Sequence, residues 1–176
     1  DEHPRMTTME ALGKMKPAFK KDGSVTAGNA SGINDAAAFL VMADAAKAAA
    51  AGQKPIARLV SYAISGVPNE IMGEGPIPAT KLALQRAGLT LDQIDVIESN
   101  EAFAAQSIAV NRGLELDTAK VNPNGGAISL GHPVGATGSV IITKLLHELI
   151  RVNGRYGVAT MCIGGGQGIT TVWERV

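Results

Sequence analysis

A histidine and the chain's only cysteine each lie in a glycine-rich stretch. His132 stands within GGAISLGHPVGATG, residues 125–138, and Cys162 opens CIGGGQG, residues 162–168. Histidine titrates near neutral pH, and a thiol is brought towards that range by a nearby positive charge or a helix N-terminus. Glycines after the cysteine would let backbone N–H groups face a developing oxyanion. The pair therefore indicates acid–base and nucleophilic chemistry, against the simpler interpretation of a cysteine buried in a strand.

Two other kinds of site are disfavoured by the spacing. The first glycine stretch lacks the Lys-Ser/Thr ending of a P-loop and the G-x-G-x-x-G spacing of dinucleotide-binding loops. The second stretch leads into a predicted strand instead of a helix. A zinc centre needs several ligands, and one cysteine with three histidines, of which His147 lies late in a predicted helix, shows no complete set. We therefore predict no metal site.

The elements that must position these residues alternate along the chain. Strands are predicted at 56–65, 94–99, 119–122, 156–163 and 168–176, and helices at 76–88, 100–113 and 134–152. The order β-α-β-α-β-α-β-β predicts an α/β fold, with a mixed but largely parallel five-stranded sheet covered by helices. Ligands gather at the carboxyl ends of strands in such sheets. Asn100, His132 and Cys162 are therefore expected at one edge.

The first part of the chain is predicted to be less regular. Residues 1–23 have the composition of an irregular segment. An alanine-rich helix is predicted from about residue 35 to 51, with Asn34 as its N-cap and Gly52 just beyond its end.

Composition limits the class of protein. The chain has 176 residues, of which 45% are apolar and 18% charged, with sixteen basic and sixteen acidic side chains. This favours a globular protein and gives no support to a nucleic-acid partner. The longest apolar stretch is interrupted by Asp44 and Lys47, and no signal-peptide pattern opens the chain, so we expect no membrane association and a cytoplasmic location. Since the chain starts at Asp1 instead of methionine, we expect it to be part of a longer protein.

Five motifs resemble the thiolase family, in its biosynthetic acetyl-CoA C-acetyltransferase (β-ketothiolase) form. They occur in the family's order and span essentially the whole chain: VTAGNASGINDAAA (25–38), GEGPIPA (73–79), NEAFA (100–104), GGAISLGHPVGATG (125–138) and CIGGGQG (162–168). The resemblance implies a thiolase-like half-domain. It also implies a reversible Claisen condensation of two acetyl-CoA molecules to acetoacetyl-CoA and coenzyme A. In that reaction a cysteine is acylated, and a second acyl-CoA, deprotonated at its α-carbon, attacks the thioester. Coenzyme A thioesters are then substrates, and no cofactor is implied.

The resemblance also implies residue roles. His132 matches the histidine that activates the nucleophilic cysteine and helps to bind the thioester oxygen, and Cys162 matches the acid–base cysteine that moves the α-proton. Asn100 matches the residue that holds a water of the first oxyanion hole, and Gly164 the glycine whose N–H contributes to the second. Six positions resemble those lining the pantetheine and acyl tunnel: Phe19, Ala30, Ser31, Met72, Ala102 and Phe103. Glu101 keeps two interpretations, a partner of the site or a first-turn helix acid.

One departure from the family limits what this chain can do. Thiolases carry their nucleophilic cysteine in the first half of the protein, and this chain has no second cysteine. It resembles the C-terminal portion only. Residues 1–23 match the tail of the loop region, 24–52 the last strand and helix of the N-terminal half-domain, and 53–176 the C-terminal half-domain.

The missing nucleophile leads to expectations about activity and partners. We expect the isolated chain to lack thiolysis activity and residues 24–52 to depend on the N-terminal thiolase half, in a full-length dimer or tetramer. Two alternatives stay open: a non-catalytic module that binds acyl-CoA or lipid, and an assembly partner of a nucleophile-bearing subunit. The retention of Asn100, His132 and Cys162 favours the enzyme, because a binding module needs no acid–base thiol.

Overall fold

The centre of the molecule is a mixed sheet, seen in a computed structural model that describes residues 3–176. Its four strands are β1 (Ala57–Gly66), β2 (Val96–Ser99), β3 (Tyr156–Ile163) and β4 (Gln167–Arg175), in the spatial order β1-β4-β3-β2. β2 runs parallel to β3, whereas β4 lies antiparallel between β3 and β1. β1, β2 and β3 therefore point the same way, and their carboxyl ends meet at one edge of the sheet.

Residues 3–176 contain six α-helices. They are α1 (Met9–Gly13), α2 (Ala45–Ala50), α3 (Pro76–Ala87), α4 (Ala104–Gly113), α5 (Ala127–Leu130) and α6 (Thr137–Arg151). The bounds of α3 follow from local chemistry. Pro76 occupies its first position, where no N–H is needed, and Gly88 ends it in the left-handed conformation at φ 66°.

The helices cover both faces of the sheet. Neighbouring residues of a strand point to opposite faces, so Val158 of β3 joins a core with α3 and α4 while Ala159 joins a second core with α6. The apolar stripe of α6 consists of Ile141, Leu145, Leu146 and Leu149. The α/β class predicted from the alternating pattern is confirmed.

The predicted fifth strand is wrong, and the sheet has four. Residues 118–120 form a 3₁₀ turn, after which a single parallel bridge joins Val121 to Ile97. Asn122 then adopts φ 48°, which turns the backbone away from the strand direction. Its side-chain amide takes over the pairing: Oδ1 accepts from Ser99 N–H at 2.9 Å, and Nδ2 donates to Ser99 O at 2.8 Å. The expectation of a largely parallel sheet is also wrong, because β4 lies between β1 and β3.

The helix predicted over 35–51 is wrong for most of its length. Only Ala45–Ala50 is helical, and Asp44 caps it by accepting from the N–H groups of Ala46 and Lys47. A short helix in water needs an apolar face to bury. Phe39 is 89% and Val41 100% exposed, so this part of the chain gains no such packing.

None of the helices within residues 3–176 is long and apolar enough to cross a bilayer.

Glu148 makes the stability of α6 dependent on pH. Its buried carboxylate accepts from Arg151 Nε and Nη2 at 2.8 and 2.6 Å and from Asn124 Nδ2 at 2.8 Å. These bonds, those of Arg151 first, lower the pKa of Glu148 from 4.5 to about 2. Because the folded pKa is depressed, the contribution is present above pH 4.5 and is lost as the pH falls towards 2.

Glu148→Gln is accordingly expected to lower the free energy of unfolding by about 1–3 kcal/mol at pH 7. Urea unfolding of both proteins across the acidic range measures the difference, which should shrink as the pH falls below 4.5. A difference that stays constant with pH would contradict this role.

Candidate active site

Asn100 extends the pairing of β2 with β3 at the edge where the strand ends converge. Its backbone N–H donates to Thr160 O at 2.9 Å, two residues before Cys162. The Asn100 residue is 2% exposed. The predicted placement of Asn100 and Cys162 at one sheet edge therefore agrees with the strand pairing.

His132 lies in a chain of three hydrogen bonds that fixes its tautomer. Asn100 Nδ2 lies 3.3 Å from His132 Nε2, and Thr137 Oγ1 lies 2.7 Å from Nδ1. The Thr137 hydroxyl donates its single proton to Pro133 O at 2.9 Å, so it must accept from Nδ1–H. Nε2 then carries the lone pair and accepts from Asn100. Burial lowers the pKa of His132, so the neutral ring with a basic Nε2 is the form present at neutral pH.

Thr137→Val should release this tautomer. Loss of one hydrogen bond, about 1 kcal/mol, corresponds to an about fivefold fall in the ratio of Nδ1–H to Nε2–H imidazole. The ¹⁵N shifts of the His132 ring report that ratio directly. Thr137→Ser keeps the hydroxyl and is the matched control, with shifts like those of the wild type. Identical ring shifts in all three proteins would show that Thr137 does not select the tautomer.

Residues 29–34, here called the bridging segment, hold the two site loops together. Ser31 N–H donates to Ala102 O at 3.0 Å, and Ala104 N–H donates to Asn29 O at 2.9 Å. On the other side, His132 N–H donates to Gly32 O at 3.0 Å. The segment therefore positions both the loop after Asn100 and the loop of His132.

The side chain of Asn34, predicted as a helix N-cap, takes part in the same arrangement. Its Oδ1 accepts from the N–H of His132 at 3.2 Å, and the nearest helix begins only at Ala45.

Glu101 supports the glycine loop, residues 125–131. Its carboxylate accepts from Asn122 Nδ2 and from Ile128 N–H, each at 3.2 Å. A Cβ on Gly126 would overlap that carboxyl group and displace it, so the close approach of Glu101 to the loop uses the missing side chain of Gly126. Because α4 begins only at Ala104, the interpretation of Glu101 as a first-turn helix acid is wrong.

Five of the six predicted tunnel residues contact one another in one region, and the sixth, Met72, lies in a turn that contacts α4. Two of them, Ala30 and Ser31, belong to the bridging segment and pair by backbone with Phe103 and Ala102, respectively. Phe19 packs edge-to-face on Phe103, with ring centroids 6.1 Å apart. Met72 lies in the 3₁₀ turn Asn69–Glu74, which contacts α4. Next to it, Gly73 packs on Gln106, where a Cβ would come within 2.7 Å of Cγ.

Cys162 is the last residue but one of β3 and pairs with Gly168, close to the turn into β4. It is half-buried, and burial raises the pKa of its thiol, so the protonated form is present at neutral pH. Gly165 and Gly166 have φ 85° and 81°, which other residues rarely adopt. Gly164 is exposed, with no atom within 4 Å of the place a Cβ would take.

Sequence reasoning missed several residues that support this site. Lys144 of α6 donates to Glu98 Oε2 at 2.8 Å and to Gly125 O at 2.6 Å, and thereby joins β2, the glycine loop and α6. An acid inside the apolar strand IDVIES was a signal for a buried partner. Thr137 gave no such signal, because threonine is common in the first turn of a helix.

Two family models match the chain. The family model described as "Thiolase, C-terminal domain" matches residues 53–175, and "Thiolase, N-terminal domain" matches residues 1–46. Beta-ketothiolase BktB of Cupriavidus necator is 61% identical over 100% of this chain, and the acetyl-CoA acetyltransferase of Pseudomonas aeruginosa is 58% identical over 99%. This chain covers 45% of each of them.

Two solved structures also match the chain over its whole length. The Bacillus anthracis acetyl-CoA acetyltransferase matches 100% of the chain with a TM-score of 0.97 and 50% identity. Human mitochondrial 3-ketoacyl-CoA thiolase in complex with CoA matches 100% with a TM-score of 0.94 and 49% identity. The chain covers 45% of each structure, so it spans less than half the length of the relatives it matches.

Proposed function

The chain belongs to the thiolase family, and on that basis we propose that it supplies the acid–base half of an acetyl-CoA C-acetyltransferase site. The reaction is the reversible condensation of two acetyl-CoA molecules to acetoacetyl-CoA and coenzyme A. The observation that carries the proposal is the tautomer of His132, whose basic Nε2 faces Asn100 at the sheet edge near which Cys162 lies in β3.

The two halves of the reaction use the His132 ring and the Cys162 thiol in turn. Nε2 takes the proton of a nucleophilic cysteine, whose sulfur then attacks the first acetyl-CoA. The ring, now an N–H donor at Nε2, and a water held by Asn100 stabilise the thioester oxygen. The Cys162 thiol gives its proton to the departing coenzyme A thiolate, which a raised thiol pKa allows because the thiol is protonated beforehand.

The thiolate left at Cys162 then serves as the base of the second half. It removes the α-proton of the second acetyl-CoA, and the resulting enolate carbon attacks the acyl-cysteine. The nucleophilic cysteine leaves as a thiolate and recovers its proton from the His132 ring. The N–H of Gly164 stabilises the second oxyanion. Phe19, Met72 and the Ala30–Phe103 pairing line the pantetheine path in this proposal.

The nucleophilic cysteine is proposed to come from the remaining length of the protein. Cys162 is the chain's only cysteine, so a second sulfur has to be supplied from outside these residues. Several large apolar side chains are exposed and could contact such a partner. Their exposed fractions are 89% for Phe39, 100% for Val41, 57% for Tyr62 and 56% for Ile64. Apolar exposure of this kind is typical of a contact surface. We propose an N-terminal thiolase half as the partner, within a dimer or tetramer, whereas the cytoplasmic location stays a prediction.

A non-catalytic module that binds acyl-CoA is a weaker candidate. Such a module needs neither a selected histidine tautomer nor a thiol at the same sheet edge. Binding of coenzyme A with no turnover after full assembly would favour it.

Complementation tests the proposal. The isolated chain should cleave no acetoacetyl-CoA, because no second cysteine is present to take up the acyl group. Mixing it with a piece of the Cupriavidus necator relative that covers the preceding length should restore cleavage, followed by the loss of acetoacetyl-CoA absorbance. Turnover by the chain alone, or an assembled complex that stays inactive, would contradict the proposal.

A further inference from the structure

A small cavity lies beside Asn100, between the end of β2, the glycine loop and α6. Its polar lining consists of Glu98, Ser99, Asn100, Asn122, Thr137 and Lys144, and its volume is about 30 Å³. A water molecule needs roughly 10–15 Å³ by the same measure. The cavity therefore has room for one or two waters and for nothing larger.

Among the residues that line this cavity, Glu98 Oε1 and Asn100 Oδ1 are buried without a partner within residues 3–176. Ser99 Oγ also lacks a partner there, but Ser99 lies between them in the strand, so its side chain leaves the opposite face. Glu98 and Asn100 are only 1% and 2% exposed, so bulk water does not reach them. An unpaired buried polar atom costs about 1–3 kcal/mol, and native proteins rarely leave two on one face of a strand.

The chemistry of two of these atoms prevents them from satisfying each other. Burial raises the pKa of Glu98, but the Lys144 ammonium, which donates to the other oxygen at 2.8 Å, opposes this and favours the ionised carboxylate. A carboxylate only accepts. The donating end of the Asn100 amide, Nδ2, faces His132. The other end, Oδ1, is a carbonyl oxygen and can only accept. Being two residues apart along an extended backbone, the side chains leave the same face about 7 Å apart. A group with two donors is needed between them.

We propose that one ordered water fills this position, donating to Glu98 Oε1 and to Asn100 Oδ1. Glu98 and Lys144 are then positioning residues, because the water fixes the Asn100 amide with Nδ2 towards His132. A reversed amide would turn its oxygen, which can only accept, towards the first oxyanion hole. Lys144 also holds Gly125 O, so the same ion pair anchors the loop that carries His132.

The presence of the water can be tested without an activity assay. A crystal structure of this chain at about 1.5 Å or better should show an ordered water within hydrogen-bonding distance of both Glu98 Oε1 and Asn100 Oδ1. No water density there, or a Glu98 carboxyl group rotated into direct contact with Asn100, would overturn the proposal. Glu98→Leu combined with Lys144→Met should lose the water without leaving a buried charge.

The positioning role rests on the proposed function and is measured in the complemented enzyme. Glu98→Leu/Lys144→Met should lower kcat about 30-fold or more, with KM for acetyl-CoA within twofold. The Glu98→Gln variant keeps a polar partner for the water, so its kcat should lie within about threefold of the wild-type value. The matched control is Lys120→Met, since Lys120 also donates to a backbone carbonyl of this region, Ile94 O at 2.8 Å, outside the cavity.

An equal fall in kcat in Glu98→Leu/Lys144→Met and in Glu98→Gln would overturn the positioning role. A change in KM with an unchanged kcat would overturn it as well. A wild-type assembly without activity would instead count against the proposed function, and the crystallographic water would still decide the site.

Discussion

Cys162→Ser is expected to lower the kcat of acetyl-CoA condensation in the complemented enzyme by about a thousandfold, within the range of general acid–base catalysis. A serine hydroxyl does not ionise near neutral pH, so it cannot take the α-proton that the proposal assigns to the Cys162 thiolate. Serine is close to cysteine in size, and the half-buried position at the end of β3 tolerates it. The loss should therefore fall on chemistry and leave folding unchanged.

Two readouts separate this role from a general loss of the site. Exchange of the acetyl-CoA α-protons with deuterated solvent should disappear in the serine variant. Acylation of the nucleophilic cysteine, seen as an acetyl adduct by mass spectrometry, should persist because His132 still activates that sulfur and coenzyme A can leave as a thiolate without the Cys162 proton. Ile163→Val changes the next residue of the same strand and should keep wild-type kcat. A serine variant within tenfold of the wild type would remove Cys162 from the proton transfer.

Gly168→Ala is expected to lower the free energy of unfolding by about 3 kcal/mol or more, since overpacking against atoms that cannot move is strongly destabilising. A Cβ there would overlap the backbone of Gly75 and lie 2.7 Å from Pro76 N. These atoms begin α3, which packs on β1 and β4. The clash can be relieved only by moving the helix away from the sheet.

Gly164→Ala is the matched control for that substitution. Both glycines belong to the same CIGGGQG stretch, but no atom lies within 4 Å of a Cβ on Gly164. Its effect on unfolding should stay within about 0.5 kcal/mol, as for other surface substitutions. Urea unfolding of both variants gives the comparison. Equal stability of the two would contradict the close approach of β4 to α3.

Local chemistry explains which parts of the fold could be predicted. Pro76 and Gly88 mark the ends of α3, and the apolar spacing of Ile141, Leu145 and Leu149 identifies the buried side of α6. Each of these signals acts within a few residues of the chain. The helix expected over 35–51 failed for the opposite reason, because alanine content favours a helix whose survival depends on distant packing.

The same distinction applies to the site. The rule that ligand-binding residues follow strand ends placed Asn100 and His132 together, and their side chains are 3.3 Å apart. For His132 the rule used a strand that is absent, since only one bridge, Val121 to Ile97, forms there. Thr137, Glu98 and Lys144 escaped prediction because their importance arises where separate elements meet. The roles of Cys162 and Gly164 stay predictions until the variants are measured.

The bridging segment has a practical consequence for dividing the polypeptide. Residues 29–34 fall within the region matched by the N-terminal family model, yet they pair with the loops of Ala102 and His132 in the C-terminal part. A cut after residue 34 would take Gly32 O and Asn34 Oδ1 away from the His132 N–H. Split versions of this protein should therefore be cut upstream of residue 29, so that the bridging segment stays in the same piece as His132.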